Sequence, residues 1–206
     1  MNDEPYQIGM DKLLTPEEVR VLLAACARRA RLDLANGRKV WVVRHLLVHL
    51  ACASGLRTGE LARLRVGDLL QDEGPALLAG RSPHARRVRL GPPLTRHIED
   101  YLGIRQQAWG ERLDDGDLML PGRQGRPYTA AALGFSFHKA AEAAGLSGDY
   151  TLRNARHSYS AFLLARTGDL RYVQRQMGHA SASMTLLYRD VAPLVDRRLA
   201  EALIWS

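Results

Sequence analysis

The segment Gly55-Leu56-Arg57-Thr58-Gly59-Glu60-Leu61 places an arginine between the end of one predicted helix and the start of the next. The preceding helix is predicted over about residues 39–54, with Gly55 as its C-terminal stop. Thr58 is predicted to cap the short helix that follows. An arginine at such a junction can direct its guanidinium and nearby backbone N–H groups toward a single anion. The segment therefore predicts both a helix–helix junction and a candidate anion-binding residue.

A second group of polar residues lies in Leu152-Arg153-Asn154-Ala155-Arg156-His157-Ser158-Tyr159. Arg153 and Arg156 are three positions apart at a predicted helix start, so they share one side of that helix. Gly178-His179 follows, and Tyr188 stands nine residues after His179. Each feature alone is typical of a solvated arginine or a packed tyrosine. Only the ordered set indicates a functional site.

The rest of the chain predicts a mainly α protein with a small antiparallel β-sheet (α+β). Thr15-Pro16-Glu17-Glu18 is typical of a capping box with proline at the first helical position. Short apolar runs flank Gly80-Arg81-Ser82-Pro83-His84, which predicts a β-hairpin with an exposed basic turn. Further helices are predicted over about residues 94–109, 129–145, 154–167, 169–177 and 181–188, with a loop over 110–127 and an amphipathic tail over 193–205.

Composition and charge narrow the class of protein. The chain has 206 residues, of which 46% are hydrophobic and 25% charged, as in ordinary globular proteins. The sequence holds no apolar run long enough for a membrane span and no secretion signal, so we expect no membrane partner. The net charge of +7 favours a polyanionic partner, most often nucleic acid. Only three of the 29 basic residues are lysines, and arginine binds phosphate well but releases a proton poorly. Two cysteines inside helical patterns fit a reducing cytoplasm.

Several common chemistries find no support in the sequence. His45 and His49 have the i, i+4 spacing of a zinc site, but Leu46 stands where a metalloprotease needs glutamate, and no third ligand is evident. The pair is therefore interpreted as helix-face histidines. No phosphate-binding glycine loop, dinucleotide fingerprint or nucleophile elbow is present. We expect no metal and no cofactor.

The ordered set of motifs over roughly residues 12–192 resembles the catalytic domain of the tyrosine recombinase (phage integrase) family. The family's opening Leu-Thr-x-x-Glu start matches residues 14–18, and its first arginine motif matches residues 55–61. Its His-x-x-Arg-His motif falls on residues 153–157, and its Leu-Gly-His motif on residues 177–179. Its nucleophile falls on Tyr188. The resemblance implies the tyrosine recombinase catalytic-domain fold.

The resemblance also implies a site-specific DNA recombinase that performs integration, excision or inversion. Tyr188 would attack a phosphodiester and form a 3′-phosphotyrosyl intermediate, without ATP or metal. Arg57 and Arg156 would bind the non-bridging oxygens, and His179 would add a hydrogen bond. Double-stranded DNA is the implied partner, with assembly as a homotetramer on DNA and a cytoplasmic, nucleoid-associated location.

Two positions depart from the family pattern. Arg81 replaces the hairpin lysine, which serves as the general acid, and Arg153 replaces the first histidine. Arginine stays charged, so the predicted site is rich in phosphate-binding groups and poor in groups that exchange protons. Arg153 would add a third phosphate contact or orient the tyrosine, and Arg81 would position the leaving oxygen. Glu60 and His157 are expected to support the site, and slow cleavage is the expected consequence.

The expected organisation is an N-terminal tail over residues 1–12, the catalytic domain over 13–192 and a C-terminal tail helix over 193–206. The tail helix has two open interpretations, since it could cover its own domain or dock on a neighbouring protomer. No separate N-terminal DNA-clamping domain is expected in this chain. Two alternative functions stay open. One is DNA relaxation of the type IB topoisomerase kind, and the other is a silenced DNA-binding relative with a regulatory or architectural role.

Overall fold

The computed structural model describes residues 8–81, 83 and 85–204, apart from the side chains of residues 123, 199, 201, 203 and 204. The helices in this part of the chain are α1 (Pro16–Ala35), α2 (Val40–Ala53), α3 (Thr58–Arg63), α4 (Pro92–Gln107), α5 (Ala130–Ala143), α6 (Leu152–Thr167), α7 (Leu170–Met177), α8 (Ala182–Leu186) and α9 (Arg197–Ile204). No helix among them is both long enough and apolar enough to cross a membrane.

The small sheet consists of β1 (Leu69–Leu70), β2 (Ala76–Ala79) and β3 (Arg86–Arg89), antiparallel and in that order. The predicted hairpin is present as β2 and β3, with Leu77 opposite Val88. The strand β1 was not predicted, because two residues are too few to produce an alternating pattern. Ser82 and His84 of the predicted turn lie outside the described residues.

The helix α2 is the centre of the fold and decides where the first arginine motif lies. It packs against α1, α4, α5 and α6, so apolar residues such as Leu46 and Leu50 are fully buried. Its C-terminal end is fixed by Gly55, whose φ of +64° suits glycine. A side chain at Gly55 would also collide with Tyr159 of α6, 2.7 Å from the Cβ position. Arg57 therefore emerges at a defined point beside α6.

Most predicted helix starts are confirmed by their caps. The Thr15 hydroxyl accepts from the Glu18 backbone N–H (3.2 Å), and the Glu18 carboxylate accepts from the Thr15 N–H (2.7 Å), which is the predicted capping box. Thr129 and Asp169 cap α5 and α7 through side-chain oxygens that accept from the backbone N–H groups of Ala132 and Tyr172. The start of α6 is earlier than predicted, because Thr151 rather than a later residue caps it.

Three sequence predictions need correction. Thr58 is the first residue of α3 and not its cap, since Arg57 occupies the cap position with Glu60 accepting from its N–H (2.7 Å). The helix predicted over 181–188 ends at Leu186, so Tyr188 lies in the turn beyond it. The predicted tail helix is a short 3-10 turn (Ala192–Leu194) followed by α9.

The tail lies against its own chain. Contacts of α9 run to α6, α1 and α4, and Ala200 is buried there. These contacts of α9 are all with helices of its own domain. Residues 1–7 of the predicted N-terminal tail and Trp205 of the C-terminal tail lie outside the described residues.

Candidate active site

Arg57 is held at the junction of α2 and α3 by contacts on both sides of its guanidinium. Its Nη1 donates to Glu60 Oε1 (3.1 Å), and its Nη2 donates to the backbone oxygen of Gly178. The side chain is still 50% exposed. Arg57 therefore has a fixed orientation and a free face toward solvent.

Arg156 approaches the same place from α6. Its Nη1 donates to the backbone oxygen of Gly55, and its Nη2 donates to the Met177 oxygen (2.7 Å). Burial, followed by the nearby cations Arg57 and Arg86, lowers the pKa of Arg156 to about 10. The group thus stays protonated at neutral pH. It ties the end of α2 to the end of α7.

Glu60 connects Arg57 to Arg86, a residue that belongs to none of the sequence motifs. The Arg86 guanidinium on β3 makes two contacts to the Glu60 carboxylate, at 2.5 and 3.0 Å, and its Nε donates to the Gln176 oxygen (3.1 Å). The Glu60 and Arg86 side chains are only 12% and 11% exposed. Burial acts to raise the pKa of Glu60, but hydrogen bonds from Arg86 and the Arg57 backbone outweigh it and keep the pKa below its ordinary value. We call Arg57, Glu60, Arg86 and Arg156 the arginine brace.

A signal for Arg86 was available in the strand pattern. Alternate residues of a strand face the same side, so Arg86 shares the inward face of β3 with the fully buried Val88. An arginine at an inward position needs a buried partner. The partner, Glu60, is 26 residues away, and sequence spacing alone does not identify it.

His179 follows Gly178, the C-cap of α7, whose φ is +63°. A side chain at Gly178 would meet Arg86 at 2.8 Å, so the glycine allows the close approach of the brace. His179 Nδ1 lies 2.9 Å from the Thr185 hydroxyl, and its ring stacks parallel to that of Tyr188 with 6.0 Å between centroids. Burial, then the Arg156 and Arg57 cations, lowers the pKa of His179 to about 4. The ring is therefore neutral at pH 7.

Tyr188 is 3% exposed and lies between two histidines. Its hydroxyl is 2.7 Å from His157 Nδ1 on α6. His157 Nε2 in turn accepts from Arg153 Nε (3.3 Å), one helical turn earlier. Burial, followed by Arg153 and Arg156, lowers the pKa of His157 to about 4. We call Tyr188, His157, His179 and Arg153 the tyrosine side of the site.

Arg81 is directed elsewhere. Its Nη1 donates to Asp68 Oδ1 (2.9 Å), and its side chain is 58% exposed. It lines a small pocket beside α3 together with Gly59 and Glu60. The contacts described for Arg81 do not lead to Tyr188. The structure thus brings seven of the eight predicted site residues together and leaves Arg81 outside this group, paired with Asp68.

A basic groove opens beside the arginine brace. Its volume is about 1210 Å³, and the arginines that line it are Arg57, Arg86, Arg87, Arg89, Arg171 and Arg175. His179 and Tyr172 also contribute to its wall. Such a surface attracts a phosphate backbone and gives salt-sensitive binding.

The two histidines of α2, His45 and His49, contact a third histidine, His97, which is distant from them in the sequence. His97 on α4 places its Nδ1 2.8 Å from His49 Nδ1, and its ring centroid 4.1 Å from that of His45. Burial is the main reason why the pKa of each falls to about 3, so the rings are neutral. Within the described part of the chain, no group of His, Cys, Asp or Glu side chains has a metal-binding arrangement. The cluster is therefore a buried hydrogen-bonded contact between α2 and α4.

Comparison with protein families identifies the arrangement. A family model described as the phage integrase family matches residues 12–194, nearly the whole chain. The chain belongs to the phage integrase family. This membership confirms the resemblance seen in the sequence.

Relatives in this family include tyrosine recombinases of bacteria. Tyrosine recombinase XerC of Lactobacillus leichmannii is 26% identical over 160 residues, and XerC of Neisseria gonorrhoeae is 30% identical over 161 residues. Both alignments cover 78% of this chain, but 54% and 51% of the two relatives. The chain thus spans about half the length of the curated relatives it matches.

Solved structures confirm the predicted fold. XerA recombinase aligns with a TM-score of 0.72 and 22% identity, covering 88% of this chain and 62% of that one. XerH recombinase bound to palindromic difH aligns with a TM-score of 0.71 and 23% identity, covering 94% and 53%. At these identities the likeness concerns the fold alone, which is that of a tyrosine recombinase catalytic domain.

Proposed function

We propose that this phage integrase family member is a site-specific DNA recombinase that cuts and rejoins DNA through Tyr188. The observation that carries the proposal is the convergence of four distant segments on one place. Tyr188 stacks on His179, and His179 follows the Gly178 oxygen that Arg57 binds. Arg156 joins the same segment at the Met177 oxygen (2.7 Å). A nucleophile and two phosphate-binding cations are thereby held together.

The proposed reaction is a phosphoryl transfer in two mirrored steps. Tyr188 Oη loses its proton and forms a bond to phosphorus, the bond from phosphorus to the 5′-oxygen breaks, and that oxygen takes up a proton. The product is a 3′-phosphotyrosyl enzyme and a free 5′-hydroxyl. Rejoining reverses these steps with a 5′-hydroxyl from the partner duplex, and the energy of the broken ester is kept in the new one.

The arginine brace would stabilise the charge that develops on the non-bridging oxygens. Arg57 presents its exposed face to the groove, and Arg156 stands behind it at the Gly55 oxygen. A lost oxyanion donor of this kind typically costs about 3–4 kcal/mol of transition-state stabilisation. His179 would donate a hydrogen bond to the same phosphoryl group. Arg81 would reach the leaving 5′-oxygen only after its pair with Asp68 opens, which predicts slow leaving-group protonation.

The relatives and the basic groove support a proposal for the partner and the assembly. Related structures include XerH bound to its difH substrate and a lambda integrase tetramer bound to a Holliday junction. The groove arginines support double-stranded DNA as the partner of this chain, with a homotetramer as the active assembly. We propose residues 13–192 as the catalytic unit, acting on DNA in the cytoplasm at the nucleoid. Residues 193–206 are proposed as its C-terminal tail, which contains α9.

A second candidate function is a silenced DNA-binding relative. The ion pair between Arg81 and Asp68 favours this second function, because Arg81 is the residue that aligns with the family's general acid. The arginine at position 153 favours it as well, since arginine does not accept protons.

Covalent trapping distinguishes the two candidates. The protein is mixed with nicked duplexes from the DNA that flanks its own gene, quenched in denaturant and analysed for DNA-linked protein. We expect an adduct with the native chain and none with Tyr188→Phe, at unchanged DNA affinity. Tyr172→Phe is the matched control, because Tyr172 is half-buried in the groove wall and should keep the adduct. Binding without an adduct would favour the silenced relative, and an adduct that survives Tyr188→Phe would place the nucleophile elsewhere.

A further inference from the structure

Three side chains on the tyrosine side form a chain of hydrogen bonds. Arg153 and His157 are four residues apart on α6, and Arg153 Nε lies 3.3 Å from His157 Nε2. On the other edge of the imidazole, His157 Nδ1 lies 2.7 Å from the Tyr188 hydroxyl. Both ring nitrogens of His157 are therefore engaged, each with a different partner.

We propose that Arg153 fixes His157 as the neutral tautomer with its hydrogen on Nδ1, so that His157 donates a hydrogen bond to Tyr188 Oη. The argument begins with the guanidinium, which carries only donors. His157 Nε2 must then accept with its lone pair. A neutral imidazole has one hydrogen, and with Nε2 as the acceptor that hydrogen lies on Nδ1.

The charges around His157 keep the ring neutral. The groups that act on it are Arg153 and Arg156 from its own helix and Lys12 from the segment before α1, and all three are positive. His179, on the other face of the Tyr188 ring, is itself neutral at pH 7. A doubly protonated His157 would also turn an N–H toward the N–H of Arg153. Both the surrounding charges and the hydrogen-bond geometry therefore favour the neutral form of the His157 ring.

The tautomer has a direct consequence for the proposed reaction, on which the catalytic part of this inference rests. A neutral His157 with its hydrogen on Nδ1 has no lone pair toward Tyr188, so it does not take the tyrosine proton. It instead donates to Oη, and a donor to that oxygen favours the phenolate. The Tyr188 proton passes to hydroxide or water of the solvent before Oη attacks phosphorus. Arg153 acts through His157 and is a positioning residue.

The tautomer can be read without DNA or activity. The full chain is labelled with ¹⁵N-histidine, and the two ring nitrogens of His157 are assigned by NMR at pH 7. We expect a protonated Nδ1 and an unprotonated Nε2. Arg153→Ala should shift the population toward hydrogen on Nε2, whereas Arg28→Ala, an exposed arginine of α1, should leave it unchanged. A hydrogen on Nε2 in the native chain would overturn the proposal.

The pH profile of cleavage provides the second readout. With a solvent acceptor, the rate of adduct formation in the native chain should rise about tenfold per pH unit between about pH 6 and 8.5, following the phenolate fraction. A rate that is flat over this range would make His157 the base and contradict the proposal. His157→Asn retains a donor near the position of Nδ1, so it should keep more activity than His157→Ala. If no adduct forms under any condition while NMR finds hydrogen on Nδ1, the recombinase proposal fails and the tautomer assignment stands.

Discussion

The arginine brace and the tyrosine side meet at one site but are built differently. The brace joins α3, α6 and β3 to the ends of α2 and α7 through main-chain oxygens and a buried carboxylate, so its geometry follows from the fold itself. The tyrosine side depends on side-chain contacts of single residues, above all His157 with Tyr188. The groups proposed to bind phosphate are thus fixed by the fold, whereas the groups proposed to act on protons depend on a few replaceable side chains. The two departures from the family pattern, Arg81 and Arg153, both fall among the proton-handling positions.

The largest expected effect on the rate of adduct formation comes from substitution of Arg57 in the arginine brace. Arg57→Ala should slow adduct formation about 10²–10³-fold, because one phosphate donor is lost in the transition state. DNA affinity should change much less, since the groove keeps its other arginines. Single-turnover trapping and equilibrium binding on the same duplex measure the two effects. Equal losses in rate and affinity would make Arg57 an ordinary binding residue.

The neighbouring residues Arg86 and Arg87 allow the stability contributed by a buried ion pair to be compared with that contributed by an exposed one. Arg86→Ala leaves the Glu60 carboxylate buried without its main partner, so the free energy of unfolding should fall by about 3 kcal/mol. Arg87 pairs with the exposed Asp72 and Glu73, and Arg87→Ala should change stability little. Urea unfolding of both variants tests the contrast. Similar losses would contradict the buried role of the Glu60–Arg86 pair.

Acid should weaken the tyrosine side before the brace. The folded-state pKa of His157 is about 4, below the ordinary value near 6.5 that holds in the unfolded chain. The unfolded chain therefore binds the proton first, so the stability from neutral His157 is complete above about pH 6.5 and falls as the pH drops toward 4. His157→Asn should reduce the slope of unfolding free energy against pH by at most about 1 kcal/mol per pH unit, after solvent screening. Urea titrations between pH 7 and 4.5 measure this slope, and an unchanged slope would mean that folding does not lower the pKa of His157.

The smallest expected effect is at Arg81. Because this side chain is exposed and paired with Asp68, Arg81→Ala should slow adduct formation by less than about tenfold. Loss of an effective general acid would slow the reaction by at least about 10²-fold. Arg81→Lys supplies a group that can give up a proton and should accelerate cleavage. A loss with Arg81→Ala as large as that with Arg57→Ala would show that the hairpin turn reaches the leaving oxygen.

The sequence predicted the parts of the molecule that depend on local chemistry. The capping box at Thr15, the glycine stop of α2 and the hairpin strands all follow from neighbouring residues, and the structure confirms them. The cap of α3 was assigned wrongly to Thr58 because Arg57 takes that position when Glu60 accepts from its N–H. The end of α8 was missed because Tyr188 turns toward α6, a contact that depends on tertiary packing.

The sequence supplied most members of the candidate site, but neither all of them nor their connections. Spacing and order were enough to select Arg57, Arg156, His179 and Tyr188. They were not enough to find Arg86, whose partner lies on another element, or to show that Arg81 pairs with Asp68. The hydrogen bond between Arg153 and His157 is local on α6. Its proposed role depends on the contact of Tyr188 with the other edge of the His157 ring, which the sequence does not predict.

This site is proposed to bind phosphate well but to protonate the leaving 5′-oxygen poorly. A substrate in which sulfur replaces the leaving 5′-oxygen tests this proposal directly. A thiol has a pKa near 8.5, far below the value near 16 of water, so a 5′-thiolate leaves without a proton donor. Adduct formation on nicked duplexes with a bridging 5′-sulfur should be about 10²–10⁴-fold faster than on the normal phosphodiester. Arg57→Ala should stay slow on both substrates. Equal rates of the native chain on the two substrates would contradict the account, because protonation of the leaving oxygen would then already be efficient.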